Sequence, residues 1–158
     1  MPDQAEQPVR PSLLDQLIDE DPSAVEERPE SMNGTYRRVV EGFERDLLDL
    51  LNTRERCRTW AVKLDQLGSS VLAYGIPDVT GAHMASRADR DRFFASLGPV
   101  IRRCDPRFKS VTVTRSDRNK PDDRVVHFRI EAVVRVAGAP EEMTFDFQME
   151  PVTRTFES

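Results

Sequence analysis

Val126-His127-Phe128-Arg129-Ile130-Glu131-Ala132-Val133-Val134-Arg135-Val136 decides the fold of this 158-residue chain. From Val126 through Phe128, Ile130, Ala132 and Val134 to Val136, every second side chain is apolar, and most of the places between are polar or charged. A period of two belongs to a strand with one face on a core and the other in water. The same period extends in both directions. Upstream, Val111 and Val113 alternate with Thr112 and Thr114. Downstream, Met143, Phe145, Phe147 and Met149 alternate with Thr144, Asp146, Gln148 and Glu150. A polar run from Ser116 to Asp123 separates the first two strands, and Gly138-Ala139-Pro140 separates the second from the third. Connections this short favour an antiparallel meander of three or more strands.

Upstream of Asp105-Pro106-Arg107 the period becomes 3.6. Tyr36, Val39, Val40, Phe43, Leu47, Leu50 and Leu51 lie on one stripe of a helix running from about Gly34 to Leu51. Phe93, Phe94, Leu97, Val100 and Ile101 mark a second strong helix from Ser86 to Arg103, with Ser86 as N-cap and Pro99 predicting a kink or an earlier end. A weaker helical segment is expected between them, from Arg58 to Leu67. The turn-rich stretch Val71-Leu72-Ala73-Tyr74-Gly75-Ile76-Pro77-Asp78 reads as an ordered loop over the core. The expected fold is therefore α+β, with a C-terminal meander packed against N-terminal helices. A meander has two open edges, which the fold's own helices can blunt or which can accept a strand from a partner.

Residues 1–32 form an acidic arm, expected to be largely disordered, ahead of a single domain over residues 33–158. The arm holds nine acidic side chains against two arginines, a net of −7, so the body carries +2 of the chain's −5. Within the arm, Ser12 caps a short amphipathic helix at about residues 12–18, with Asp15 at its third position. Leu13, Leu14, Leu17 and Ile18 make its apolar edge. Two turns are too short to stand alone in water, so this edge must dock either on its own domain or on a partner.

A nearly neutral body lacks the basic footprint of a nucleic-acid binder. No apolar run approaches the ~20 residues of a membrane span, so direct insertion is not expected. Polar residues 1–10 show no signal peptide, and two cysteines, Cys57 and Cys104, make no disulfide framework, so a cytoplasmic protein is expected.

Nothing in the sequence assembles a catalytic site. His83 and His127 are the only histidines, and with Cys57 and Cys104 they show no metal-ligand spacing, so no metal or other cofactor is expected. No phosphate-binding glycine loop is present. Glu41 and Glu44 have the separation a glycosidase pair requires, but Arg37, Arg38 and Arg45 surround them and would hold both carboxylates ionised.

Four stretches carry a family resemblance in chain order: Pro11-Ser12-Leu13-Leu14-Asp15-Gln16-Leu17, Leu50-Leu51-Asn52-Thr53-Arg54, Tyr74-Gly75-Ile76-Pro77-Asp78 and Asp105-Pro106-Arg107-Phe108. From about residue 11 onward the chain resembles the TssE family of type VI secretion baseplate subunits, part of the phage baseplate-wedge group once labelled tail-lysozyme-like. The resemblance implies a non-enzymatic structural subunit of the baseplate wedge, docked at the bacterial inner membrane. It would bind other wedge subunits and contractile sheath subunits, and start sheath polymerisation by strand pairing. The family's Glu-Pro-Arg motif stands here as Asp105-Pro106-Arg107, one methylene shorter at its first position. Those three residues, with Leu13, Leu14 and Leu17, are the implied partner contacts, and Thr144, Asp146 and Gln148 the candidate sheath-docking edge. Two other readings remain open: a peptidoglycan hydrolase using Glu41 and Glu44, and a wedge protein of a phage-like tail particle.

Overall fold

The computed structural model describes residues 11–18, 23, 31–56, 59–77, 86–116, 125–136, 139–150, 153 and 155–158. Three α-helices precede the sheet: α1 (Leu13–Leu17), α2 (Met32–Asn52) and α3 (Arg87–Cys104). Four strands follow, β1 (Phe108–Arg115), β2 (Val126–Val136), β3 (Ala139–Glu150) and β4 (Thr155–Glu157). They form one antiparallel sheet in the order β1-β2-β3-β4. The α+β arrangement expected from the two hydrophobic periods is the one observed.

The core lies between one face of the sheet and the helices α2 and α3. Val126, Phe128, Ile130, Ala132, Val134 and Val136 are all buried, as are Met143, Phe145, Phe147 and Met149. Val39, Phe43, Leu47, Leu50 and Leu51 of α2 and Phe93, Phe94, Leu97, Val100 and Ile101 of α3 join them in one cluster. Phe94 of α3 sits 5.0 Å from Phe128 between ring centroids, and Phe43 of α2 meets Phe108 edge-on at 5.5 Å. Such tilted and edge-to-face pairs favour a single packing over a loose one. Tyr36, at the start of the expected stripe, remains exposed.

Several elements differ from expectation. The weak helix expected at Arg58 to Leu67 is instead a 3-10 segment over Val62–Ser69, kinked at Leu64 and with no buried residue. Without an apolar face to bury, nothing holds an α-helix there. Helix α3 does not stop at Pro99 but continues to Cys104, driven by burial of Val100 and Ile101 beyond the proline. Ala139 and Pro140 belong to β3, pairing with Val136 and Arg135, rather than to the preceding turn. The fourth strand, β4, is too short to carry a period of its own. The polar run at residues 117–124 and the turn residues 137–138 lie outside the described residues.

Candidate functional site

The two central motifs of the sequence meet in space. Leu50-Leu51-Asn52-Thr53-Arg54 ends α2, and Tyr74-Gly75-Ile76-Pro77 runs beside it. Arg54 and Ile76 form a parallel bridge, with Glu55 N–H donating to the Ile76 carbonyl at 2.9 Å and Ile76 N–H to that of Thr53 at 2.9 Å. Gly75 has φ +112°, and a β-carbon there would come within 2.8 Å of both the Glu55 nitrogen and the Thr53 oxygen. Only glycine adopts that backbone and allows that approach.

Asn52 then ties this junction to the sheet. Its side-chain amide donates to the Phe156 carbonyl at 3.0 Å and accepts from the Phe156 N–H at 3.0 Å. The Arg54 guanidinium lies 5.9 Å from the Phe156 ring centre. Sequence reasoning did not assign Asn52 this role. Its signal was an amide side chain directly after the last buried residue of the helix.

Backbone bonds between the strands fix which groups of β2 and β3 face which neighbour. Ser116 N–H donates to the His127 carbonyl, and Arg135 N–H to that of Arg107. Odd-numbered residues of β2 therefore face β1, and even-numbered ones face β3. On β3 the odd positions are paired back to β2, as in Phe128–Phe147 and Ile130–Phe145. The even positions point to the other side. Asn52 gives the same parity from the opposite end: because it holds Phe156, β4 meets β3 through Glu157 and Thr155, opposite Gln148 and Glu150.

The two edges of the sheet differ as a result. On β1, past the register shift between Phe108 and Ser110, the outward positions are Val111, Val113 and Arg115, and α3 approaches them: a β-carbon on Gly98 would be 3.0 Å from the Val111 carbonyl oxygen. On β3, β4 covers only Gln148 to Glu150. No strand of the described sheet pairs with β3 from Ala139 to Phe147 on the side away from β2. Thr144 and Asp146 lie in that open stretch with outward parity, whereas Gln148 is already paired to Glu157.

Helix α1 docks with its polar side inward. Ser12 and Asp15 form a capping box, and Asp15 is 8 % exposed. Arg45 of α2 donates to the Asp15 carboxylate at 2.6 Å, and Arg38 donates to the Asp15 carbonyl at 3.1 Å. Burial alone would raise the Asp15 carboxyl, but the hydrogen bonds from Ser12 and Arg45 outweigh it and hold the group below its ordinary range. Leu13, Leu14 and Leu17 consequently face solvent at 80 %, 61 % and 82 % exposure, with Ile18 beside them. Of the two docking options open in the sequence, α1 meets its own domain through Asp15, and the leucines form an exposed ridge.

The Asp105-Pro106-Arg107 corner follows α3, with Asp105 as its C-cap. Arg107 Nη2 donates to Asp105 at 2.6 Å and to Asp46 of α2 at 2.6 Å, and its guanidinium lies 4.5 Å over the Phe43 ring. Desolvation works against its charge, yet bonds to Asp105 and Asp46 raise its pKa above the ordinary arginine value. Asp46 also bonds Arg45 at 3.1 Å. A continuous ion-pair row thus runs Asp15–Arg45–Asp46–Arg107–Asp105, joining α1 to the corner. The fork of Arg107 is engaged inside its own chain, and its side chain remains 34 % exposed.

The other candidate residues do not converge. Glu41 accepts from Arg37 at 2.7 Å on the exposed side of α2, and Glu44 lies one turn on. His127 is exposed on the outer face of β2 and Cys104 is half-buried at the end of α3, while Cys57 and His83 lie outside the described residues. Among the described residues, no group of three or more His, Cys, Asp or Glu is placed to hold a metal ion, and no helix is long and apolar enough to cross a membrane.

Among the described residues the geometry presents an uncovered stretch of β3, an exposed leucine ridge and an ion-paired corner on an α+β fold. The family described as "Baseplate wedge protein gp25" matches residues 37–139, more than half of the chain, and the protein belongs to that family. It is by family a structural component of a baseplate wedge. A comparison with solved structures also matches a chain of one described as "The baseplate complex from the type VI secretion system", at 18 % identity and TM-score 0.47, covering 71 % of this chain and 93 % of that one. A search of curated proteins found no match.

Proposed function

We propose that this chain is a TssE-type structural subunit of a type VI secretion baseplate wedge. It binds neighbouring wedge subunits through Leu13, Leu14 and Leu17 and through the Asp105-Pro106-Arg107 corner. It then offers the open stretch of β3 to the first ring of contractile sheath subunits and starts sheath polymerisation. The setting is the bacterial cytoplasm, in a baseplate docked at the inner membrane.

The observation that carries this reading is the asymmetry of the sheet, with α3 against β1 at Val111 and, among the described residues, no strand on the outer side of β3 between Ala139 and Phe147. An open edge in a soluble domain is an aggregation hazard unless it has an assigned partner. The leucine ridge supports the wedge contacts, because apolar residues at such exposure are stabilised only by a second surface.

Two variants separate these roles. Thr144→Pro removes an outward N–H while leaving the ladder to β2 intact, a change tolerated at a sheet edge. Leu13→Ser combined with Leu17→Ser removes two exposed side chains and no core contact. In cells lacking the native gene, Thr144→Pro should co-purify with wedge subunits but yield no sheaths. The leucine variant should lose wedge subunits while remaining folded. Wild-type sheath numbers with folded Thr144→Pro would overturn the sheath-docking role.

A further inference from the structure

We propose that the open stretch of β3 selects its incoming strand by charge. The strand that completes the sheet carries basic side chains at alternate positions, opposite Glu142 and Asp146, and apolar side chains between them. This rests on the strand-addition reading above and adds the chemistry of the partner.

The argument begins with parity. Residues whose backbone groups point away from β2 are the even ones, and their side chains stand on the outer face of the sheet. Pro140 has this parity but no N–H, so the run of outward donors begins at Glu142. From there to the start of β4 the outer positions read Glu142, Thr144, Asp146, with Gln148 and Glu150 beyond them and no cation among the five. Among the described residues of β2 and β3, the basic side chains on this face stand one strand back, on β2, at Arg129 and Arg135.

That arrangement leaves the edge acidic. Asp146 is held from the β2 side by Arg129, which donates to it at 2.7 and 3.0 Å. Glu142 stands opposite Val133, which brings no charge. A Lys or Arg on an added strand beside Glu142 gains the opposite-charge pairing that Val133 does not supply, and one beside Asp146 extends the existing pair into a row. On the inner face the same strand lies beside Met143, Phe145 and Phe147, all buried, so its inward side chains are apolar.

The same charges disfavour a second copy of this chain as the partner. Antiparallel pairing of two β3 edges centred on Thr144 sets Glu142 of one copy opposite Asp146 of the other. Like charges directly opposite each other destabilise a strand pair. The edge is thus open to a basic strand and guarded against its own kind.

The test uses the full chain and two short synthetic peptides, one alternating valine with lysine and one alternating valine with glutamate. Binding is followed by backbone amide shifts. The lysine peptide should shift amides between Glu142 and Phe147 and bind on the order of tenfold tighter than the glutamate peptide, since each of two opposite-charge pairs contributes about 1.4- to fivefold and each like-charge pair subtracts a similar factor. Replacing Glu142→Lys together with Asp146→Asn should abolish or reverse that preference. Asp65→Lys, on the exposed 62–69 segment, changes net charge elsewhere and should leave the preference in place. If both peptides bind the edge equally, charge selection is overturned and strand addition stands. A lysine preference that survives the edge variant, or shifts that fall elsewhere, also overturns it. If neither peptide perturbs the edge, strand addition falls with it.

Discussion

Asn52→Ala is the most informative single change, because one side chain joins the end of α2 to the last strand. Its amide makes two hydrogen bonds to Phe156, each 3.0 Å long, and both vanish in alanine. A protein hydrogen bond contributes about 0.5–1.5 kcal/mol net, so the pair is worth roughly 1–3 kcal/mol. Asn52 is itself exposed, so water can replace part of the loss and the lower half of that range applies. For a domain near 150 residues, about 1–2 kcal/mol lowers Tm by roughly 2–8 °C.

The local effect should exceed the global one. Strand β4 is three residues long, and Asn52 holds its outer side. Without that hold, the amides of Gln148 and Glu150, which face β4, should exchange with solvent faster. The open stretch of β3 would then lengthen past Phe147. Asn52→Asp keeps an acceptor for the Phe156 N–H but loses the donor, and should fall between alanine and wild type. Thermal melting by circular dichroism and hydrogen exchange by NMR read both effects. Unchanged melting together with unchanged exchange at Gln148 and Glu150 would refute the assignment of Asn52 as the clamp on β4.

Gly75→Ala should destabilise the domain by at least about 1–3 kcal/mol, since positive φ and close backbone contact act together; a urea midpoint equal to wild type would contradict this. Arg107→Lys keeps the charge but loses the planar fork shared by Asp105 and Asp46, so wedge co-purification should fall with only a modest drop in Tm. Arg107→Glu is the poorer probe, because it sets a third carboxylate beside those two and would unsettle the corner itself. The folded-state pKa of Asp15 is lowered from 3.8, so its stabilisation of α1 is present above that value and lost as pH falls through the lowered pKa. Amide exchange in Leu13–Leu17 should therefore rise below about pH 4 in wild type, whereas Asp15→Asn should show fast exchange with no such pH step.

The alternation in β2 and β3 made the sheet legible, because a side-chain period of two survives any arrangement of neighbours. The 3.6 period did the same for α2 and α3. The family was legible from Leu50-Leu51-Asn52-Thr53-Arg54 and Tyr74-Gly75-Ile76-Pro77-Asp78, although nothing in either string says that they touch. The continuation of α3 through Pro99 ran against local propensity, since burial of Val100 and Ile101 outweighs a missing hydrogen bond. Strand β4 was not legible: three residues carry no period, and their place depends on an asparagine 104 positions away.

The sequence by itself determined the three long strands, the helices α2 and α3 and most of their core faces, because those choices follow from local periodicity and the burial of apolar side chains. Only the tertiary structure decided which surfaces are left for partners. Ser12, Leu13, Leu14 and Leu17 predict an amphipathic helix whichever way it lies. It is the Arg45 guanidinium, thirty positions from Asp15, that draws the polar side inward and turns the leucines out. The edges of the sheet follow the same logic, since each strand brings two rows of backbone groups and long-range packing settles which row is covered. Here α3 lies against β1 at Val111, Asn52 fixes β4 over one end of β3, and the rest of β3 takes no further strand among the described residues.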